Sequence, residues 1–264
     1  MDFTEQQIQR YARHIVLPEV GGVGQKKLLA SRVLVIGAGG LGAPLLMYLA
    51  AAGVGTLGIV DDDVVELSNL QRQVIHQTRS IGISKVQSAA NAIAAINPDL
   101  KLIQHLERVT RSNVGELIHG YDLIADGSDN FETRFLINDA CHFSKKILVS
   151  AAILKFEGQV STFRSGLGHG DPCYRCLYDK QPKQGLVPSC AEGGVLGALA
   201  GTVGSMQAVE VLKELIGIGD SLAGFLLIYD ALATEVRKLI LPRNTGCALC
   251  GDIPEILNLT DQVS

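Results

Sequence analysis

The chain has 264 residues, of which 47% are hydrophobic and 19% are charged. This composition is typical of a globular protein with a sizeable core, and it excludes a disordered chain. The formal net charge is −4, and the lysines and arginines are scattered, so the charge pattern does not indicate nucleic-acid binding. The polar N-terminus lacks a signal peptide and no apolar segment reaches a spanning length, so we expect a cytoplasmic protein without a membrane partner.

An N-terminal helical arm, residues 1–30, comes first in the predicted order of elements. Apolar residues recur at helical spacing from Ile8 to Ile15, and Thr4 suits the position just before a helix. We therefore expect a helix from about Thr4 to Val16.

A strand, a glycine-rich turn, a helix and a second strand are predicted over residues 31–61. Gly37, Gly39 and Gly42 fit the pattern G-x-G-x-x-G, and Asp61 falls about 20 residues further on, as in a nucleotide-binding unit. Backbone N–H groups at such a turn suit a phosphate, and the acid suits ribose hydroxyls. The pattern fits NAD and ATP equally well, and a tight turn without a ligand also stays open.

Strands and helices continue to alternate up to about residue 153. Helices are predicted over 85–96, 111–120 and 131–144, and strands over 101–109, 121–126 and 146–153. This alternation predicts an α/β protein with a Rossmann-like, mostly parallel sheet and helices on both faces.

The C-terminal half departs from that alternation. Strands are predicted over 158–163, 224–230 and 235–241, with a glycine-rich helix near 193–216 between them. We expect these strands to extend the same sheet in antiparallel fashion. Because no second set of alternating strands and helices and no proline-rich linker follows, we expect a single domain over residues 1–264.

Polar residues cluster where the predicted strands end. "ELSNLQRQ" places four polar residues beside the expected nucleotide: Asn69, Gln71, Arg72 and Gln73. Lys85 opens the next helix, and Asp129 and Asn130 follow a later strand. Two cations can neutralise charge on a reacting phosphate, and a carboxylate can hold Mg²⁺. Taken singly, each residue also fits a surface or capping position. Together they favour phosphate chemistry over hydride transfer.

Four of the six cysteines form two C-x-x-C pairs. Cys173 with Cys176 and Cys247 with Cys250 supply four thiolates in two segments far apart in sequence, which suits a closed, structural Zn²⁺ site. Such a site would tie the loop after about the fifth strand to the C-terminal part of the chain. Separate redox pairs and an iron–sulfur cluster are the alternatives. We expect Cys141 in the core.

Six segments, in their order along the chain, carry a family resemblance: "RYARHIVL", "GAGGLG", "LSNLQRQ", "GSDNFETR", "CYRCL" and "GCALCG". The chain resembles the ubiquitin-activating-enzyme-like superfamily, specifically its bacterial sulfur-carrier adenylyltransferases, from about Tyr11 to Gly251. Members use ATP to adenylate the C-terminal glycine of a small ubiquitin-like protein, and they release pyrophosphate. The resemblance implies the same activity here, for sulfur transfer in molybdenum cofactor or thiamine biosynthesis.

The resemblance also implies roles for individual residues. The implied ATP-binding set is Gly37, Gly39, Gly40, Gly42, Asp61, Ser68, Asn69, Leu70, Gln71, Arg72, Lys85, Asp129 and Asn130. Within it, Asp61 would contact the ribose, Lys85 would lie near the α-phosphate, and Asp129 would hold Mg²⁺. The implied catalytic set is Arg13, Arg72, Lys85 and Asp129. Arg13 would act in the active site of the opposing subunit, which implies a homodimer.

The partners and one cysteine complete these expectations. The partner is a ubiquitin-fold sulfur-carrier protein, and a sulfurtransferase is a candidate second partner. Cys190 lies in a loop where some relatives have a nucleophile and others a bystander, so both roles stay open. Two other functions also stay open. An NAD(P)-dependent oxidoreductase would rest on the glycine pattern alone, and a non-catalytic subunit would bind nucleotide and partner without turnover.

Overall fold

The computed structural model describes residues 3–182 and 193–260. In these ranges eight strands form one sheet, ordered β3-β2-β1-β4-β5-β6-β7-β8. The strands are β1 (Arg32–Ile36), β2 (Thr56–Val60), β3 (Lys101–His105), β4 (Leu123–Asp126), β5 (Ile147–Leu154), β6 (Glu157–Phe163), β7 (Phe225–Asp230) and β8 (Glu235–Ile240). The helices are α1 (Glu5–Ile15), α2 (Gly21–Ala30), α3 (Gly42–Ala52), α4 (Lys85–Ile96), α5 (Val114–His119), α6 (Phe131–Phe143), α7 (Tyr174–Leu177) and α8 (Gly197–Ile216).

The sheet changes direction where the sequence predicts it. Strands β1 to β5 pair in parallel, and β6, β7 and β8 add to the β5 edge in antiparallel pairs. The predicted fold class is therefore confirmed. Because the parallel strands all end at the same edge, the loops that follow β1, β2 and β4 meet there.

Helices cover both faces of the sheet, as predicted. Alternate residues of β1 show the division, because Val33 and Val35 pack among residues of α3 and α8, whereas Leu34 and Ile36 pack among residues of α5 and α6. Cys141 lies in the same core as Leu34 and Ile36 and is 2% exposed, so its predicted position in the core is confirmed. No helix in residues 3–182 or 193–260 is long and apolar enough to cross a membrane.

The N-terminal arm begins with the predicted helix. Thr4 caps α1 by accepting a hydrogen bond from the Gln7 backbone N–H, and the Gln7 side chain accepts one from the Thr4 N–H in return. Tyr11 of α1 is buried, and its hydroxyl accepts a hydrogen bond of 2.9 Å from the Asn97 side chain. These contacts fix α1 against the helices that cover the Val33 and Val35 face of the sheet.

Two elements are shorter than the sequence suggests. The strand predicted over 101–109 ends at His105, because His105 pairs with Val60, the last residue of β2. The residues beyond it have no neighbouring strand and turn toward the carboxyl edge. The helix predicted over 111–120 begins only at Val114, since the Asn113 side chain accepts a hydrogen bond from the Thr110 N–H and holds a turn there.

Candidate active site

A cleft of about 230 Å³ opens at the carboxyl edge of the parallel strands. Its walls contain these members of the predicted set: Gly37, Gly39, Gly40, Asp61, Arg72, Lys85, Asp129 and Asn130. The fold thus brings together residues from three separate loops and the start of α4. The predicted residues Gly42, Ser68, Asn69, Leu70, Gln71 and Arg13 lie outside the walls of the cleft.

The glycines of the turn have two different roles, close packing of the backbone and contact with the cleft. Gly42 permits close packing of the turn, since a Cβ there would lie 1.9 Å from the Gly37 carbonyl oxygen. Gly39 and Gly40 border the cleft, and their backbone N–H groups have no hydrogen-bond acceptor among the described residues. Free N–H groups at the start of a helix are suited to binding an anion such as a phosphate.

Asp61, at the end of β2, ties this turn to the next loop. Its Oδ2 accepts a hydrogen bond of 2.8 Å from the Ala38 N–H, and its Oδ1 accepts one of 2.9 Å from the Asp63 N–H. Burial raises the pKa of Asp61, and the nearby Lys85 ammonium opposes that rise. The carboxylate borders the cleft, where its contact with a ribose stays a prediction.

Lys85 is the first residue of α4 and is only 6% exposed. Its Nζ donates a hydrogen bond of 2.7 Å to Asp63 Oδ2, and the side chain of Asp63 is 66% exposed. The aliphatic stem is buried while the ammonium reaches the wall of the cleft. This geometry places a fixed positive charge beside the glycine turn.

The segment "SNLQRQ" supplies one wall of the cleft through Arg72, whose Nη1 donates a hydrogen bond of 3.1 Å to the Ser68 carbonyl. Asn69 is buried, and its Oδ1 accepts a hydrogen bond of 3.2 Å from the Glu66 N–H. Asn69 therefore shapes the turn that presents Arg72. The Gln71 carbonyl approaches Gly197 of α8 so closely that a Cβ on Gly197 would lie 2.2 Å from it.

The loop after β4 forms the opposite rim. Asp129 is exposed at this rim, whereas Asn130 caps α6 by accepting a hydrogen bond of 2.9 Å from the Thr133 N–H. The Arg134 guanidinium donates to the Ser128 carbonyl at 2.6 Å and so holds the loop from below. Asp129 is thus presented by a braced loop, where its Oδ1 accepts a hydrogen bond of 3.5 Å from the Asn130 side chain.

Several cleft residues lie outside the predicted set. Gln73 and Ser128 border the cleft, and their buried Oε1 and Oγ atoms have no hydrogen-bond partner among the described residues. Arg134 and the residues 107–109 also line it. Gln73 is not in the implied ATP-binding set, but the sequence places it beside the nucleotide with the rest of its segment. The residues 107–109 enter only because β3 ends early.

Two predicted residues do not join the cleft. Arg13 is exposed on α1, away from the cleft of its own chain. Its neighbour His14 is half-buried and its Nδ1 lies 3.0 Å from Gln25 Oε1. Cys190 lies outside the described residues.

The four paired cysteines lie close together in space, although one pair follows β6 in the chain and the other follows β8. Their sulfur atoms all lie within 4.8 Å of one another, with 3.6 Å between Cys173 and Cys247 and 3.4 Å between Cys176 and Cys250. These separations are too long for disulfides, whereas four thiolates around a tetrahedral Zn²⁺ at about 2.3 Å stand about 3.8 Å apart. The cluster is therefore compatible with zinc, and it follows the sixth strand.

Charged side chains surround this cysteine cluster. Arg175, between the first pair, forms a two-pronged ion pair with Asp139 at 2.9 and 2.8 Å. Arg243 donates to the Cys250 carbonyl at 2.8 Å. Contact with the Cys173 thiol lowers the pKa of Cys176 to about 7. Nearby guanidinium groups offset the negative charge that four thiolates around a zinc ion would carry.

A sequence model of the ThiF family matches residues 11–249 of the chain. The match includes every segment that builds the cleft and three of the four clustered cysteines, and it ends one residue before Cys250.

Curated relatives match along nearly the whole chain. The sulfur carrier protein adenylyltransferase of Thermus thermophilus is 49% identical over 263 residues, which cover 99% of this chain and 97% of that protein. The SAMP-activating enzyme E1 of Haloferax volcanii is 51% identical over 246 residues, covering 93% and 90%. MoeZ of Mycobacterium tuberculosis, a probable adenylyltransferase/sulfurtransferase, is 49% identical over 98% of this chain but only 64% of its own length.

Solved structures support the fold. Crystal structures of Escherichia coli MccB superpose with a TM-score of 0.81 at 17% identity, over 95% of this chain and 75% of MccB. The structure of PaaA superposes with a TM-score of 0.77 at 22% identity, over 92% and 76%. At these identities the likeness shows a shared fold.

Proposed function

The chain belongs to the ThiF family, and from that premise we propose that it is an ATP-dependent adenylyltransferase acting on a ubiquitin-fold sulfur-carrier protein. One observation carries the proposal most directly. Lys85, Arg72 and Asp129, which come from three separate segments, border one cleft together with the glycine turn. Relatives that match nearly end to end are named for sulfur-carrier adenylylation and for activating SAMP.

The reaction follows from the charges around the cleft. An oxygen of the carrier's C-terminal carboxylate attacks the α-phosphorus of ATP, the bond to the β-phosphate oxygen breaks, and pyrophosphate leaves. Lys85 and Arg72 neutralise the negative charge that builds on the phosphate oxygens. The free N–H groups of Gly39 and Gly40 bind phosphate, and Asp61 positions the ribose. The product is a carrier acyl-adenylate, ready for sulfur transfer.

Two metals have residues of suitable chemistry. Asp129 would hold Mg²⁺, and the cation would stabilise negative charge on the leaving phosphates. Its exposed carboxylate on a braced loop suits a hard cation that keeps some of its water. The four thiolates of the cysteine cluster would hold a structural Zn²⁺ that ties the segment after β6 to the C-terminal residues.

Further parts of the proposal concern assembly. Arg13 is exposed and does not border the cleft of its own chain, which agrees with delivery into the cleft of a second copy in a homodimer. Cys190 is a candidate nucleophile in the later sulfur transfer. A sulfurtransferase partner would supply the sulfur, and molybdenum cofactor and thiamine biosynthesis are the candidate routes.

The test is carrier-dependent exchange of pyrophosphate into ATP. The protein, ATP and Mg²⁺ are mixed with each ubiquitin-fold carrier of the same organism, and exchange is expected with at least one. Asp129→Ala should abolish the exchange, whereas Asp99→Ala, which changes an exposed acid far from the cleft, should retain it. Retained exchange in Asp129→Ala would contradict the Mg²⁺ assignment. A preference for NAD over ATP with Mg²⁺ would instead support an oxidoreductase.

A further inference from the structure

A buried histidine stands directly behind the glycine turn. His76 follows "SNLQRQ" in the chain and is 6% exposed. Its Nε2 lies 2.9 Å from the carbonyl oxygen of Ala38, inside the turn. Its Nδ1 lies 2.9 Å from the hydroxyl of Ser88 on α4. His76 therefore connects three elements of the site: the segment that carries Arg72, the glycine turn, and the helix that carries Lys85.

These contacts determine which nitrogen of the ring carries the proton. A carbonyl oxygen only accepts hydrogen bonds, so Nε2 of His76 must donate to Ala38. Nδ1 of a neutral ring then accepts, and the Ser88 hydroxyl is its donor. Burial lowers the pKa of His76, the hydrogen bond to the Ala38 carbonyl opposes that change, and the charge of Lys85 adds to the lowering. The imidazole is thus neutral, with a fixed tautomer.

Both peptide groups that flank Ala38 are held. Asp61 accepts a hydrogen bond from the Ala38 N–H at 2.8 Å, and His76 donates to the Ala38 carbonyl. That carbonyl shares its peptide group with the Gly39 N–H, and in a planar trans peptide the two point in opposite directions. Fixing the carbonyl therefore fixes the direction of the Gly39 N–H, which has no acceptor among the described residues.

We propose that His76 is a positioning residue that aims the Gly39 N–H at a phosphate of the bound nucleotide and holds the glycine turn in a fixed position relative to α4. This inference rests on the proposed function in that the ligand is ATP. Its role is indirect, because His76 does not border the cleft and bonds only to the protein. The chain therefore needs a hydrogen-bond donor at this point, and an aromatic ring alone does not suffice.

The test compares two substitutions in the full-length protein. His76→Phe keeps a buried ring but removes the donor, whereas His76→Gln keeps a donor that reaches about as far as Nε2. Loss of one hydrogen bond corresponds to about a tenfold change in an equilibrium constant. We expect the Kd and the KM for ATP with Mg²⁺ to rise about tenfold in His76→Phe, with the KM for the carrier unchanged. His76→Gln should stay within about threefold of the wild type.

Control variants separate positioning from general damage. His142→Phe removes another half-buried histidine bonded to a serine, Ser165, away from the cleft, and it should leave the ATP affinity unchanged. Ser88→Ala removes the partner of Nδ1 with little change in packing, and it should weaken ATP binding by a smaller factor than His76→Phe. If His76→Phe does not fold, Ser88→Ala decides the question, because unchanged ATP affinity in Ser88→Ala would then overturn the proposal.

Three outcomes would be informative. A wild-type protein that fails to bind ATP with Mg²⁺ would refute the proposed function. Normal ATP binding by His76→Phe, with only its thermal stability lowered, would refute the positioning role while leaving the proposed function intact. Equal loss of ATP affinity in His76→Gln and His76→Phe would also overturn it, because a donor at this position would then make no difference.

Discussion

Lys85→Met removes one charge from the cleft and leaves the buried aliphatic stem almost unchanged. A cation and a phosphate charge about 4 Å apart interact by about 4 kcal/mol at an effective dielectric constant of 20, which corresponds to roughly a thousandfold in rate. The partner that loses its ion pair, Asp63, is 66% exposed, so water can solvate its carboxylate. The variant should therefore lose exchange activity without losing its fold.

Pyrophosphate exchange at saturating ATP and carrier measures the effect, and thermal unfolding monitors the fold. We expect exchange to fall about a thousandfold. The melting temperature should move by no more than about 4 °C, since an ion pair with an exposed partner contributes about 1 kcal/mol or less. Lys101→Met, an exposed cation at the amino end of β3, is the matched control and should retain exchange. Exchange by Lys85→Met within threefold of the wild type would refute the reasoning.

Three further predictions concern the zinc cluster, the dimer and a buried histidine. Cys247→Ser should lower the bound zinc measured by metal analysis and lower the melting temperature, whereas Cys141→Ala should keep its zinc; full zinc content in Cys247→Ser would argue against the site. The Arg13→Ala and Asp129→Ala variants should each be inactive alone, and mixing them should restore exchange once their subunits re-assort, because one cleft of a mixed dimer then has both native residues. No recovery in verified mixed dimers would exclude action in trans. Burial lowers the pKa of His76 from its ordinary value of 6.5, so the unfolded chain binds a proton that the folded chain does not, and stability falls as the pH drops below 6.5 toward the folded pKa. In urea titrations across that window, His76→Gln should lose less stability than the wild type, and equal pH dependence would contradict this.

The sequence predicted the fold well wherever local pattern and neighbouring contacts agree. Residues 33–36 are apolar without interruption, as expected of a strand covered on both faces, and β1 has that place in the sheet. The strand expected over 101–109 was too long, because its end is determined by the length of β2 in another part of the chain. The sequence of one strand does not show where the neighbouring strand of the sheet ends.

The candidate site was predictable where a local sequence motif determines the position of its residues. The glycine turn, Asp61 and Lys85 border the cleft as expected, because each lies at an end of a strand or helix that the pattern already locates. His76 was missed, since its role depends on contacts with Ala38 and Ser88, 38 and 12 residues away. Arg134 was missed for the same reason, because only the folded loop shows that it braces Ser128.

The central claim is that this cleft joins AMP to the end of a carrier protein. Mass spectrometry of a ubiquitin-fold carrier, incubated with the protein, ATP and Mg²⁺ and with inorganic pyrophosphatase to draw the reaction forward, tests it most directly. We predict a carrier whose mass has increased by one adenylyl group at its C-terminal glycine, and no such product with Lys85→Met. An unmodified carrier in every pairing, although the protein binds ATP, would contradict the account.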